Sequence, residues 1–329
     1  MAEHKIVKLK FVSPLHLGHG QGDAYDTGQK LLHSDTISGA IASVYCSMFS
    51  PRELLPFMKK YRLSSAFPYA GGSVFLPRPL AKIPLRFSDL DDYRQLKKLK
   101  KIEYIDYNLW QRIVSGEPVI SSKYCLSADG RFLFSSPDLV QKVYRDELQQ
   151  RVFVPRTGED AMPYYFERRF FAANCGLYFF LDTESPEVEA KVLYLLQVLG
   201  MQGFGTDKSI GNGQFEATLS SVNLNIEKQS HAHMLISLAC PEQNEISADL
   251  LEKSSYQLAK RGGFVAGTGD NRFRHLRKRS IYMFTEGSVF IGKTPSGKIE
   301  NLRPEWNDVD LHPVYRDGRS FSLPLKFTL

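Results

Sequence analysis

The densest chemical signal in the chain is the segment Gly203-Phe204-Gly205-Thr206-Asp207-Lys208-Ser209-Ile210-Gly211-Asn212-Gly213, where four glycines bracket an aspartate, a lysine and a serine. Glycine lets a backbone approach a ligand closely, and successive amide N–H groups form anion-binding nests. With Lys208 between the glycines, the segment suits phosphate better than a plain helix-to-strand connection. It is not a Walker A loop, because no GxxxxGK[ST] string is present. Nor is it a dinucleotide fingerprint, which follows a strand and opens a helix, whereas this segment follows a helix and leads into a strand.

A second candidate is Lys260–Arg279. It holds Lys260, Arg261, Arg272, Arg274, Arg277, Lys278 and Arg279 against one acid, Asp270. That excess of +6 equals the net charge of the whole chain. Phe264 and Phe273 are interleaved, which suits base stacking beside phosphate contacts. The string Arg261-Gly262-Gly263-Phe264-Val265 superficially matches an RNA-recognition-motif signature but lacks the aromatic required at its third place.

Histidines supply the enzymatic alternative. His16 and His19 flank Leu17-Gly18 in a first glycine-rich loop, His33 precedes a helix, and His231 and His233 are two residues apart. A loop histidine titrating near neutrality is the side chain that would act as general base for attack by an RNA 2′-hydroxyl. More often such residues only hydrogen-bond backbone or phosphate. His231 and His233 have no nearby carboxylate at metal-ligand spacing, and neither HExxH nor GxSxG occurs. The residues alone therefore give no catalytic set, no metal site and no cofactor.

The elements that must position these residues follow from periodicity. Lys5–Val12 reads as a half-buried strand. Ser34 is expected as an N-cap with Asp35 in the first turn, and Ile37, Ala40, Ile41, Val44, Tyr45 and Met48 repeat at helical spacing. A strand at Gly176–Leu181 precedes a helix with Ser185 as cap, Pro186 first, a buried stripe of Val188, Val192, Leu195, Leu196 and Leu199, and Gly200 at its end. Another strand lies near Gln214–Leu224. This is the βαββαβ order of a ferredoxin-like unit, which makes the stretch from about residue 50 to 172 an insertion. Within it, Leu96, Leu99, Ile102 and Ile105 accompany Lys97, Lys98, Lys100 and Lys101 in a helical pattern, and Val152–Val154 and Tyr164–Phe166 flank a turn-prone PRTGEDAMP as a hairpin. Alternation restarts after about residue 227.

Composition sets outer limits. At 329 residues, roughly 150 per domain suggests two domains. Hydrophobic content of 43% and charged content of 24% exclude a long disordered or collagen-like chain. Cys46, Cys125, Cys175 and Cys240 are scattered with no CxxC pair, which argues against a zinc ribbon and reads as reduced thiols in a cytosol. No signal peptide and no apolar run near the ~20 residues of a membrane span are visible, so a soluble, cytoplasmic protein is expected.

Taken together, these segments resemble the RAMP superfamily of CRISPR proteins, and within it the fourth-subunit family of type III-A (Csm) effector complexes. The strings that carry the resemblance are Ser13-Pro14-Leu15-His16-Leu17-Gly18, His33-Ser34-Asp35-Thr36-Ile37-Ser38-Gly39-Ala40, Gly203–Gly213, Tyr256–Gly263, Tyr282–Phe290 and His312-Pro313-Val314-Tyr315. They extend over nearly the whole chain.

The resemblance implies an α+β fold of two ferredoxin-like units. The first spans residues 1–226 and carries a β-hairpin thumb in its insertion; the smaller second unit spans 227–329. It implies a non-catalytic subunit that binds the repeat-derived 5′ tag of the CRISPR RNA and contacts the large polymerase/nuclease subunit and a backbone RAMP subunit. It carries over Gly203, Gly205, Lys208, Ser209, Gly211 and Gly213 as RNA-backbone contacts, with His16, Gly18, His33 and Ser34 lining the same groove. Arg261, Arg277, Lys278 and Arg279 are added on charge. Phe153, Arg156 and Met162 are assigned to the thumb, with Met162 or Phe153 as the base wedge. The competing expectations are a metal-independent RAMP endoribonuclease with His16 or His33 as base, and the equivalent subunit of a type III-B system. In the repeat-processing RAMP enzymes the glycine-rich loop lies near the C-terminus, whereas here a long stretch follows Gly213, which favours the binding subunit.

Overall fold

The run Gly176-Leu-Tyr-Phe-Phe-Leu181 is apolar on both parities, and a strand of that kind must be covered on both faces. The computed structural model, which describes residues 2–18, 26–155, 160–225, 230–265, 276–304 and 311–326, places it at the centre of an eight-stranded sheet.

Strand β1 (Ala2–Phe11) leads into α1 (Ser34–Met48), α2 (Leu54–Lys59), β2 (Tyr61–Leu63) and β3 (Phe67–Ala70). Short elements follow: β4 (Ser73–Pro77), β5 (Leu85–Phe87), α3 (Asp92–Lys101), β6 (Tyr104–Asp106), α4 (Tyr107–Val114), β7 (Val119–Ser121) and β8 (Phe132–Leu133). A long ribbon, β9 (Tyr144–Phe153) and β10 (Met162–Phe171), precedes β11 (Cys175–Thr183), α5 (Pro186–Gln202) and β12 (Phe215–Leu224). The C-terminal region contains β13 (Ala232–Leu235), α6 (Ala248–Glu252), β14 (Leu258–Arg261), β15 (Ile281–Phe284), β16 (Val289–Ile291), β17 (Ile299–Asn301), β18 (Tyr315–Asp317) and β19 (Ser322–Leu325).

The main sheet runs β12-β1-β11-β3-β4-β6-β8, with β2 also paired to β11. Every pairing from β12 to β6 is antiparallel. Leu177, Phe179 and Leu181 of β11 face one apolar cluster with Val7 and Leu9 of β1, Ile37, Ile41 and Val44 of α1, and Val192, Leu195, Leu196 and Leu199 of α5. Each such side chain, fully buried, contributes roughly 1.5–3 kcal/mol. Tyr178, Phe180 and Ile6 point to the opposite face, where Met234, Ile236, Val289, Leu323 and Leu325 of the C-terminal region complete a second cluster. That sheet, β16-β13-β19, therefore covers the side of the main sheet that the helices leave open. One core takes side chains from both sides of the expected boundary near residue 226.

Several expectations are corrected. The N-cap of α1 is His33, and Ser34 is the first helical residue. Its backbone N–H is already bonded to Ser65 Oγ at 2.8 Å, and its hydroxyl accepts from Leu238 N at 3.0 Å. Gly200 lies inside α5, which continues to Gln202 and ends at Gly203. A Cβ at residue 200 would come within 2.2 Å of Phe215 O, so glycine is required there by close packing on β12. Met48 is exposed instead of joining the buried stripe.

Within the stretch expected as an insertion, β2 and β3 belong to the main sheet beside β11. Helix α3 stops at Lys101; Ile102 and Ile105 are buried outside it and Leu96 is exposed. Among the described residues, no helix is long and apolar enough to cross a membrane.

Candidate nucleic-acid interface

The segment Ser13–Gly18 leaves β1 and runs between the glycine loop and the ribbon. Towards the loop, Gly213 N donates to Pro14 O at 2.8 Å, Thr206 N to His16 O at 3.2 Å and Gln214 N to Ser13 Oγ at 2.8 Å. Towards the ribbon, Leu15 and Arg169 exchange backbone bonds of 2.9 and 2.8 Å. Three separate sequence signals thus meet at one corner. Two of the loop glycines are dictated by that meeting. A Cβ at residue 205 (φ +86°) would lie 2.0 Å from His16 O, and one at residue 213 (φ +72°) would lie 2.0 Å from Phe204 O. Gly203 is likewise pressed against Asn212 O, whereas Gly211 faces open space. At residues 203, 205 and 213 the missing side chain makes room for the chain's own backbone, and Gly205 also borders the cleft described below. Lys208 and Ser209 form an exposed turn of helix beyond them.

The ribbon is fixed to this corner by charge. Arg151 reaches Asp207 at 3.1 Å and lies over the Phe166 ring. Arg169, buried, grips Asp146 through Nε (2.7 Å) and Nη2 (3.0 Å) and donates to Lys30 O. At the free end of the ribbon, Phe153 and Met162 are opposite one another in register and 56% and 57% exposed. Arg156 lies outside the described residues, as do His19, Asp270, Arg272, Phe273 and Arg274.

Beside the corner opens a cleft of about 880 Å3, lined among others by Gly18, Thr36, Gly205, Thr206, Lys260, Arg261, Phe264, Arg277 and Arg316. Phe264 and Arg277 are bridge partners, and the guanidinium of Arg277 lies 5.0 Å from the Phe264 ring centre, a half-exposed stacked pair on the rim. At the back of the cleft lies Asp35, fully buried. Arg261 donates to both its oxygens at 2.9 Å, and Arg316 bonds the same Oδ2. Burial alone would push the Asp35 carboxyl up, but Arg316 and Arg261 hold it well below the usual carboxylate range. Lys278 packs nearby. Burial lowers its amine to about 8, with Arg316 and Arg261 adding to the shift and Asp35 opposing it.

Both candidate histidines have hydrogen-bond partners within the fold. His16 is 2% exposed, its ring tilted against that of Phe166 and its Nδ1 2.6 Å from Glu167 O, so it lies beneath the groove instead of lining it. His33 Nδ1 is 2.8 Å from Glu286 Oε1, and Ser65 donates to the same carboxylate. Burial would raise the Glu286 carboxyl; the neighbouring His33 and these hydrogen bonds hold it low. Arg279 also departs from expectation, since its guanidinium reaches Glu300 (3.4 Å) and Asn301 O (2.6 Å) and does not border the cleft. Arg261 does border it, but as an ion-pair partner and not as a solvated charge. Among the described residues no three His, Cys, Asp or Glu side chains gather as a metal site. Sequence reasoning missed Arg316 and the role of Asp35, whose side chains meet across 281 positions.

The chain as a whole is similar to several known proteins. Residues 228–325 match the CRISPR Csm4 C-terminal domain. The CRISPR system Cms protein Csm4 of Thermococcus onnurineus is 24% identical over 88% of this chain and 90% of its own length. Its namesake in Mycobacterium tuberculosis is 28% identical over 80% and 79%. A chain of the Csm3-Csm4 subcomplex in the type III-A CRISPR-Cas interference complex has the same fold, with TM-score 0.66 and 18% identity over 98% of this chain and 99% of that one. A chain of the Csm1-Csm4 cassette in complex with cA4 superposes with TM-score 0.64 and 19% identity over the full length of both.

Proposed function

The chain belongs to the Csm4 family of CRISPR RAMP proteins, and on that premise we propose that it is the non-catalytic RNA-binding subunit of a type III-A effector complex. In this role it holds the repeat-derived 5′ tag of the CRISPR RNA and joins the large polymerase/nuclease subunit to the backbone subunits. The observation that carries the proposal is the cleft of about 880 Å3, with Lys260, Arg261, Arg277 and Arg316 on its wall and the Phe264–Arg277 pair at its rim. Cations in a groove attract a phosphate backbone, and an exposed aromatic face accepts an unstacked base. The Csm1-Csm4 and Csm3-Csm4 pairings named for the structural neighbours support the two protein contacts. In the same reading, β12-β1-β11-β3 with α1 and α5 form a ferredoxin-like unit, the β9–β10 ribbon is its thumb, and the β16-β13-β19 sheet is the reduced core of a second unit.

The burial of His16 and the pairing of His33 with Glu286 support binding over cleavage. The test is titration of the full chain with a labelled repeat-derived RNA across salt concentrations, with and without divalent metal. Arg277→Ala and Lys208→Ala should each weaken binding and flatten the dependence of log affinity on log salt by about 0.7 for one lost single-strand phosphate contact. A defined RNA cut that disappears in His33→Ala would overturn the non-catalytic assignment.

A further inference from the structure

Within the cleft, we propose that Asp35 is the positioning residue of a single-phosphate subsite, holding Arg261 and Arg316 side by side on the wall with Lys278 behind them. The inference rests on the RNA-binding reading and specifies which part of the cleft takes a phosphate.

The charge balance is the first argument. Among the described residues, Asp35 is the only carboxylate bonded to either guanidinium, and it serves both. The side chains of Arg261 and Arg316 are 12% and 10% exposed, and that of Asp35 is 0% exposed. A staple between two regions of a fold needs one arginine per carboxylate. A second arginine and a neighbouring lysine, desolvated together, repel one another and weaken the fold. Such an excess is tolerable where a ligand supplies the missing negative charge.

Geometry is the second argument. Arg261 uses Nε and Nη2 on Asp35 and Thr36, which leaves Nη1 out of these bonds. Arg316 is fixed by Asp35 on one side and by Gly262 O at 3.0 Å on the other. Both side chains border the cleft beside Thr36, Thr206 and Ser280. Guanidiniums already locked in place lose little freedom on binding, and the planar fork matches a phosphodiester. Asp35 sits in the first turn of α1, so the register of that helix sets where both arginines stand.

The experiment uses the full chain and a short single-stranded RNA of mixed sequence as probe, with affinity measured across salt. Asp35→Asn removes a negative charge, so charge alone predicts tighter binding, whereas loss of positioning predicts binding at least tenfold weaker. Arg316→Lys keeps the charge but loses the fork, and should weaken binding about tenfold with an unchanged salt slope. Lys278→Met removes a nearby positive charge but no phosphate contact, and should weaken binding by less than Arg316→Lys. Thermal unfolding shows which variants remain folded, and if Asp35→Asn does not, the other two decide. If the unsubstituted chain binds the probe while Arg316→Lys and Lys278→Met bind it equally well, the subsite does not exist but the RNA-binding reading stands. Absence of binding by the unsubstituted chain overturns that reading itself.

Discussion

The glycine-rich corner and the arginine-lined wall face the same cleft but are built in opposite ways. At the corner, order comes from the backbone: glycines press against carbonyls of Ser13–Gly18 and the loop itself, and the exposed cation Lys208 stands clear of that contact. At the wall, order comes from side chains. One buried carboxylate from α1 collects two arginines from strands that belong to the other end of the chain. A substitution at the corner therefore acts through sterics, and one at the wall through charge.

That contrast can be broken most forcefully at Asp35. Asp35→Ala leaves two nearly buried guanidiniums without their carboxylate and should cost about 3–5 kcal/mol in urea unfolding. A loss under about 1 kcal/mol would mean the arginines relax into solvent and the wall is not preformed. Next in size is the corner. Gly205→Ala places a methyl group on His16 O at a positive φ and should cost more than about 2 kcal/mol, whereas Gly211→Ala, with the same backbone sign but open space, should cost only about 1. Equal losses at the two positions would show that dihedral strain, not close approach, governs the loop.

The smallest effect sharpens the wall. The Lys278 amine is lowered in the folded protein, so the folded state releases its proton before the unfolded chain does. Stability should then rise as pH climbs from about 8 towards the ordinary lysine value near 10.4, because over that range the unfolded chain binds more protons. Melting temperatures over that range should climb in the unsubstituted chain and stay flatter in Lys278→Met.

Much of the framework was legible from residues alone. The both-face apolar run of β11, the stripe of α5 and the Ser185-Pro186 start gave the central layers, because burial imposes its period directly on sequence. The ribbon was legible from its turn residues and proved longer than expected, since charged side chains such as Arg169 and Asp146 satisfy one another within it. What sequence withheld were pairings across distance. Arg261 and Arg279 look alike in a basic stretch, yet one is claimed by Asp35 and the other by Glu300. Arg316 stood one residue beyond His312-Pro313-Val314-Tyr315 and carried no local sign that it would be buried. His16 had the type and loop setting of a base, but Phe166 and Glu167, which enclose it, lie about 150 positions away.

The span between Asp35 and Arg316 also has a consequence in time. On a ribosome adding roughly 5–20 residues per second, the carboxylate emerges well before its second arginine, separated from it by 281 positions and hence by roughly 15–55 seconds. For the first 226 of those positions α1 carries a buried-type charge with no arginine at all, for the rest it has half its complement, and until the end the wall of the cleft has no fixed form. In a nascent chain the wall would thus take its form abruptly and late, when synthesis has already passed β18.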